Sequence, residues 1–227
     1  EPRDAIVTRA YDGAIVDTVL QVPSGRTVSF AGGQPEFHFF SPEPIWALRA
    51  DGSIALGVND ALEFRVFGSD GELRRVFRKP FEPRRVTEAD RQIFTETLER
   101  LWKQAGVPAE GLQVLKQGVS FEDRFPAFAV AFGGPAGSLW VQRIRKPDEL
   151  SAAEREEFNP LQNLGSPDWD VFDVDGRYLG VVTMPDRFQP IGFEGDQVFG
   201  VWRDELDVQY VRFVRVVGAG RDESGGG

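Results

Sequence analysis

Three copies of one pattern constrain this chain more than any other feature. An alternating run, a tight turn ending in Gly, a second alternating run and then Pro occur three times. The copies are T-R-A-Y-D-G-A-I-V-D-T-V-L-Q-V-P (8–23), F-R-V-F-G-S-D-G-E-L-R-R-V-F-R-K-P (64–80) and W-D-V-F-D-V-D-G-R-Y-L-G-V-V-T-M-P (169–185). Asp-Gly between β-branched and aromatic residues is a strong hairpin signal, because Gly takes the positive φ of the turn and Asp tolerates it. A second strand–turn–strand module precedes or follows these hairpins at 45–58, 128–144 and 191–202. Joined in order, the two modules give four antiparallel strands, A to D, and a repeated set of four short strands is the pattern of a propeller blade. The run V-Q-Y-V-R-F-V-R-V (208–216) is apolar on both faces, which suits a sheet covered on both sides better than one with a wet face.

The expected fold is therefore all-β: a partial β-propeller of about three and a half four-stranded antiparallel blades with a helical insertion. A sandwich or open barrel made from the same strands is the alternative. Residues 5–23 supply a C–D pair, 45–79 a whole blade, 126–184 another, and 190–217 strands A to C. The arc spans 1–217, with the helical insertion at about 85–118 and a second insertion at 145–168; residues 218–227 read as a flexible tail. An arc of this length cannot close, so open strand edges are expected to make the chain poorly soluble or oligomeric when expressed alone.

D-W-D-V-F-D-V-D-G-R-Y-L-G-V-V-T-M-P followed by D-Q-V-F-G-V-W-R-D-E-L-D-V-Q-Y-V-R resembles the closing blades of bacterial six-bladed β-propeller proteins of NHL-repeat-like type. F-R-K-P-F-E-P-R-R-V-T-E-A-D-R resembles the entry to a helical insertion in the same group, and the likeness covers roughly residues 40–217. It implies a six-bladed architecture whose two to three remaining N-terminal blades would be a partner of this chain. It also implies a periplasmic, cell-surface or secreted location, often with a lipoprotein signal; the residues themselves leave the cytoplasm open. Its motifs carry architecture and no chemistry.

Composition narrows the function. Zero Cys among 227 residues removes disulfides, thiol catalysis, iron–sulfur clusters and Cys-ligated zinc. A single His leaves little room for a His-rich metal site. The net charge of −10 argues against a nucleic-acid partner, which would need a basic field. No apolar run approaches the ~20 residues of a membrane-spanning helix. No Gly-rich phosphate loop and no G-x-S-x-G elbow occurs.

Blade geometry places the candidates. In a four-stranded blade the A–B and C–D turns share one face, and B–C and D–A connections share the other. The turns of the first class are all tight, while the long connections 24–44, 80–125 and 145–168 all fall in the second. Long ordered connections are where shaped sites are built. Thr87 is expected to cap a helix, with Asp90 completing the capping box and Ile93, Phe94, Leu98, Leu101, Trp102 and Ala105 forming one apolar stripe. That stripe either covers the propeller rim or forms a lid over the channel. Ser151 and Glu154 predict a second, shorter capped helix over 151–157.

His38, Glu43, Asn59, Asp60, Arg124 and Asp204 are the polar groups expected to line a ligand site on the elaborated face, Asp204 within the turn D-E-L-D at 204–207. Arg84 and Arg85 could grip an anion. D-V-D-G at 173–176 has a faint likeness to a calcium loop, though the other ligand positions are lacking. No catalytic residue, metal ligand or cofactor is assigned. The expected function is a non-enzymatic binding or scaffold protein that engages a protein, peptide or glycan. The alternative is a calcium-assisted propeller hydrolase of lactonase or esterase type, which would need Ca2+ held by convergent carboxylates.

Overall fold

The Asp-Gly turns share one mechanism. In a computed structural model that describes residues 3–25, 27–160, 164–195, 197–206 and 208–217, an Asp carboxylate accepts a hydrogen bond from the backbone N–H two residues on. Asp12 accepts from Ala14 (3.0 Å), Asp51 from Ser53 (3.0 Å), Asp70 from Glu72 (3.1 Å) and Asp173 from Asp175 (2.9 Å). The Gly of each turn has positive φ, between 75° and 86°.

These turns join strands in three of the five sheets among the described residues. Strands β1 (Arg3–Arg9) and β2 (Ile15–Pro23) form a two-stranded ribbon. Strands β3 (Val28–Ala31) and β4 (Gln34–Phe39) are a hairpin. Strands β5 (Pro44–Leu48), β6 (Ile54–Val58), β7 (Glu63–Phe67) and β8 (Leu73–Arg78) make a four-stranded antiparallel meander. Helices α1 (Glu88–Gln104) and α2 (Ala109–Gln117) follow, and then β9 (Val119–Phe121). A second meander comprises β10 (Ala131–Gly133), β11 (Leu139–Ile144), β12 (Gly165–Phe172) and β13 (Tyr178–Thr183), with α3 (Ala152–Glu157) between β11 and β12. Strands β14 (Phe188–Glu194), β15 (Gln197–Arg203) and β16 (Gln209–Arg215) close the list as a three-stranded antiparallel sheet. The chain is thus mostly strand, in small antiparallel sheets. The tail at 218–227 lies outside the described residues.

The meanders pack face to face. Ala47, Phe64 and Val66 of the first meet Leu139, Val141 and Phe172 of the second, with Phe128 between them. The opposite face of the second meander, Trp140, Trp169 and Val171, packs on Phe188 and Val198 of the last sheet. Strands β11 and β12 are therefore covered on both sides, as the apolar run Leu139–Val141 and the apolar Trp169, Val171 and Phe172 require.

One part of the chain departs from the expected arrangement. Residues 24–44 and 80–125, expected as connections around one helix, contain three strands and two helices. Strand β9 pairs in parallel with β4 (Phe37↔Val119, His38↔Ser120, Phe39↔Phe121), making a fifth sheet in the order β3-β4-β9. The second insertion also ends earlier than expected, because β12 begins at Gly165.

The helices cover that fifth sheet. Thr87 and Asp90 form the capping box: the Asp90 carboxylate accepts from the Thr87 N–H (2.9 Å), and Thr87 Oγ1 accepts from the Asp90 N–H (3.2 Å). Of the stripe, Phe94, Leu98 and Trp102 are buried and Ala105 is exposed. They pack with Phe39, Phe40, Phe125 and Phe158 into a separate aromatic core, so the stripe stands on β4 and β9. Glu99 pairs with Lys103 within α1 and ties α1 to α2 through Lys116, each at 2.7 Å, and these two hold its carboxyl down at about 2. Arg100 reaches the second insertion by donating to the Phe158 carbonyl at 3.4 Å. Among the described residues no helix is long and apolar enough to cross a membrane.

Gly71 gives a direct test of how β1–β2 seats. Its φ is +75°, and an added Cβ would lie 2.5 Å from the Val19 carbonyl oxygen. Gly71→Val should cost about 2 kcal/mol, because a β-branched residue resists this φ and the obstacle is backbone. Differential scanning calorimetry should show Tm lower by about 4–8 °C. An unchanged Tm would mean that β2 does not rest on this turn.

Candidate functional site

Two opposite ends of the sheet stack differ in what they gather. At one end the tight turns meet. The buried Arg49 side chain, at the β5–β6 turn, donates through Nε to the Gly137 carbonyl (2.9 Å) and through Nη2 to the Val174 carbonyl (3.0 Å). It thereby joins the β5–β6, β10–β11 and β12–β13 turns.

The other end holds a cleft of about 220 Å³ where the long connections converge. Its apolar wall is Phe39, Phe40, Pro126, Ile144, Pro160 and Leu164, and its polar groups are Thr27, Ser41, Glu43, Asn59 and Gln142. Phe40 takes φ +68°, a left-handed conformation uncommon for an aromatic residue. Its ring is held against Phe125 (4.6 Å) and Phe94 (5.0 Å). The aromatic core under α1 thus also shapes the cleft wall.

Most of the polar groups in the cleft have a distinct job. Asn59 is buried; its Oδ1 accepts from the Glu43 N–H (2.8 Å) and its Nδ2 donates to the Phe128 carbonyl (3.4 Å). It is spent holding β5, β6 and residue 128 together. Glu43 Oε1 accepts from both the N–H and the hydroxyl of Thr27, fixing the 25–27 segment. Gln142 Nε2 donates to the Ser166 carbonyl (2.8 Å). Glu43 Oε2 and Gln142 Oε1 accept no hydrogen bond from the described residues. The cleft lining therefore presents two open acceptors, and Glu43 is its only charged residue among the described residues.

Glu43 and Asn59 are the two residues singled out from the sequence that meet in this lining. His38 lies on β4, on the face opposite Phe37 and Phe39. Its Nδ1 lies 2.8 Å from Ser120 Oγ, its Nε2 is 3.1 Å from Ser29 Oγ, and Glu36 Oε2 is 3.4 Å from Nε2. Both ring nitrogens are thus engaged in a cross-strand polar row that ties β3, β4 and β9. Asp60 is exposed on the β6–β7 turn. Arg124 is exposed and forms an isolated antiparallel bridge with Arg85.

Asp204 caps its own turn: Oδ1 accepts from the Leu206 and Val208 N–H groups (2.9 Å each), and Oδ2 accepts from the Tyr210 hydroxyl at 3.2 Å. The Val208 N–H, above all, lowers its pKa. Asp207 of the same turn lies outside the described residues. Arg84 is held by Asp90 (2.9 Å) and Asp148 (3.3 Å), joining the two insertions. Asp175 of the calcium-like turn is paired with Arg75 at 2.5 Å.

Sequence reasoning missed two features. Gln142, Phe39 and Phe40 lie on or beside strands and read as core. Asp170 is a buried carboxylate on β12 whose Oδ1 accepts from Arg143 (2.9 Å), Lys79 (3.0 Å) and the Tyr178 hydroxyl (2.9 Å). Its signal was its parity: it shares a face with Phe172, inside the core between the meanders.

A wider hollow of about 450 Å³ runs along Glu96, Glu99, Arg100, Lys103 and Gln104. All of these project from one helix, so no opposing wall converges on a ligand, and the cleft is the better candidate. Among the described residues no three His, Asp or Glu side chains gather where they could hold a metal ion. A scan against protein-family models and a search of curated proteins both find no match for this chain.

Proposed function

We propose that this chain is a partial β-propeller acting as a non-enzymatic binding scaffold, which engages a protein, peptide or glycan through its long-connection face. Support for the propeller comes from the succession of two, four, four and three antiparallel strands and from the face-to-face packing of successive sheets. The single observation that carries the binding reading is the cleft, where residues from three distant segments converge over an apolar wall. The groups that could act chemically elsewhere, Asp170, Asp204 and His38, are each committed to hydrogen bonds within the fold.

The calcium-assisted alternative needs several convergent carboxylates. Among the described residues the cleft lining offers one, Glu43, so no observation favours that reading.

A fragment screen by NMR on the isotope-labelled chain tests the proposal. Hits should perturb the amides of Ala129, Gln142, Ile144 and Gly165 together. Ala129→Trp, which fills the cleft, should remove those hits while leaving the rest of the spectrum in place. Hits gathered at the tight-turn end around Gly52 and Gly137 would overturn the assignment of the binding face.

A further inference from the structure

Resting on that reading of the cleft, we infer that its occupant is a basic side chain, an ammonium or guanidinium on an apolar stem, presented by a peptide segment of a partner. Three observations combine. The first is chemical. Glu43 Oε2 and Gln142 Oε1 receive nothing from the described residues, so the lining offers one charged and one neutral acceptor beside the Ser41 hydroxyl, while Asn59 already accepts from the Glu43 N–H and donates to the Phe128 carbonyl. Thr27 has already given both its N–H and its hydroxyl to Glu43 Oε1. An open carboxylate oxygen favours a charged donor, and ammonium and guanidinium groups are donors with no accepting atom. A carboxylate or phosphate would instead meet Glu43 with like charge.

The second observation is size and lining. At about 220 Å³ the cleft is smaller than the roughly 300–1,000 Å³ of small-molecule pockets. Its walls are Phe, Pro, Ile and Leu side chains, with the carboxylate as the one charge among the described residues. Such a shape suits one long side chain whose methylenes lie along the wall while its head reaches acceptors, as Lys and Arg side chains do. The third observation is the field. The chain carries a net charge of −10, which favours approach of a cationic partner and disfavours an acidic one.

Glu43 holds its position without the ligand. Its Oε1 is fixed by Thr27 and its backbone N–H by Asn59, so the open oxygen is pre-organised. A charge-assisted hydrogen bond to a fixed acceptor loses little ordering entropy on binding.

The test uses the whole chain and NMR titration with three probes: acetylated and amidated Ala-Lys-Ala, the same peptide with norleucine in place of lysine, and hexylammonium. The lysine peptide should shift the Ala129, Gln142, Ile144 and Gly165 amides, with norleucine weaker by about tenfold and hexylammonium weaker than the peptide. Glu43→Gln keeps a carbonyl oxygen for Thr27, so it should fold and should bring the lysine peptide down to the norleucine level.

Equal binding of lysine and norleucine peptides overturns the charge selection and leaves the cleft reading standing. Hexylammonium binding more tightly than the peptide overturns the peptide source. Absence of cleft shifts with all three probes, while the fragment screen still hits the cleft, overturns this inference alone; absence in both experiments overturns the cleft as well.

Discussion

Replacing Phe94 with alanine is expected to destabilise the chain by about 4 kcal/mol and to loosen the cleft at the same time. Phe94 is fully buried on α1, and its ring meets Phe39 (5.7 Å), Phe40 (5.0 Å), Phe121 (6.0 Å) and Phe158 (5.5 Å), mostly edge to face. It touches three separate segments: β4 with its following turn, β9, and the end of the second insertion. Truncation removes the apolar contact and leaves a cavity that aromatic rings on fixed backbones cannot readily fill.

Phe39 and Phe40 line the cleft and lean on this ring, so their amides should exchange hydrogen faster in Phe94→Ala than in the parent chain. Urea unfolding followed by tryptophan fluorescence reads the stability. A loss below about 1 kcal/mol would mean that α1 is only draped over β4 and β9. Phe94→Leu, which keeps most of the volume, should cost much less.

That packing marks the limit of what the sequence made legible. The hairpins were readable because their information is local: an Asp carboxylate, a Gly with positive φ and alternation on either side sit within a few residues of one another. The capped helices were readable for the same reason, since Thr87 and Asp90, or Ser151 and Glu154, are three residues apart. The sheet β3-β4-β9 was not. Its decisive pairing is parallel and joins His38 to Ser120 across 82 residues, and β9 is only three residues long. A three-residue strand has too little periodicity to announce itself, and a parallel partner has no turn signal.

The candidate site divides along the same line. Glu43 and Asn59 stood out as polar residues on connections, and they do lie side by side, joined by the Asn59 Oδ1 bond. His38 and Asp204 stood out equally, yet partners within the fold occupy them: Ser120 and Ser29 for the imidazole, the turn's own N–H groups for the carboxylate. Residue type alone does not separate a polar group that faces a cleft from one that caps its own backbone. Gln142 carried no flag because its strand, L-W-V-Q-R-I, reads as buried core on one face and edge on the other.

Asp170 is where charge, packing and pH meet, and Asp170→Ala is expected to cost about 3 kcal/mol at neutral pH. The carboxylate is 3% exposed, and all three donors come to it from different strands: Lys79 just past β8, Arg143 on β11 and Tyr178 on β13. Lys79 belongs to the first meander and the others to the second, so this one oxygen fastens the two sheets. Lys79 Nζ also lies 4.0 Å from the centre of the Tyr178 ring. Removing the acid leaves two cations facing each other without their shared counter-charge, at the edge of a core built from Phe64, Phe77 and Phe172. Arg143→Ala should cost less, because Asp170 would keep Lys79 and Tyr178.

The dependence on pH separates this account from simple loss of packing. Burial pushes the Asp170 carboxyl up, but the hydrogen bonds from Arg143, Lys79 and Tyr178 outweigh it, and its pKa lies below the ordinary carboxylate value. A carboxyl lowered in the folded state contributes stability that is fully present above its unfolded value of about 3.9 and is lost as pH falls through the folded value. The gap between the parent chain and Asp170→Ala should therefore be flat from neutral pH to about pH 5 and narrow below about pH 4. Urea midpoints for both chains at pH 7, 5 and 3 measure it. A gap that stays constant down to pH 3 would assign the cost to lost van der Waals contact and remove the charge from the account of how the two sheets are joined.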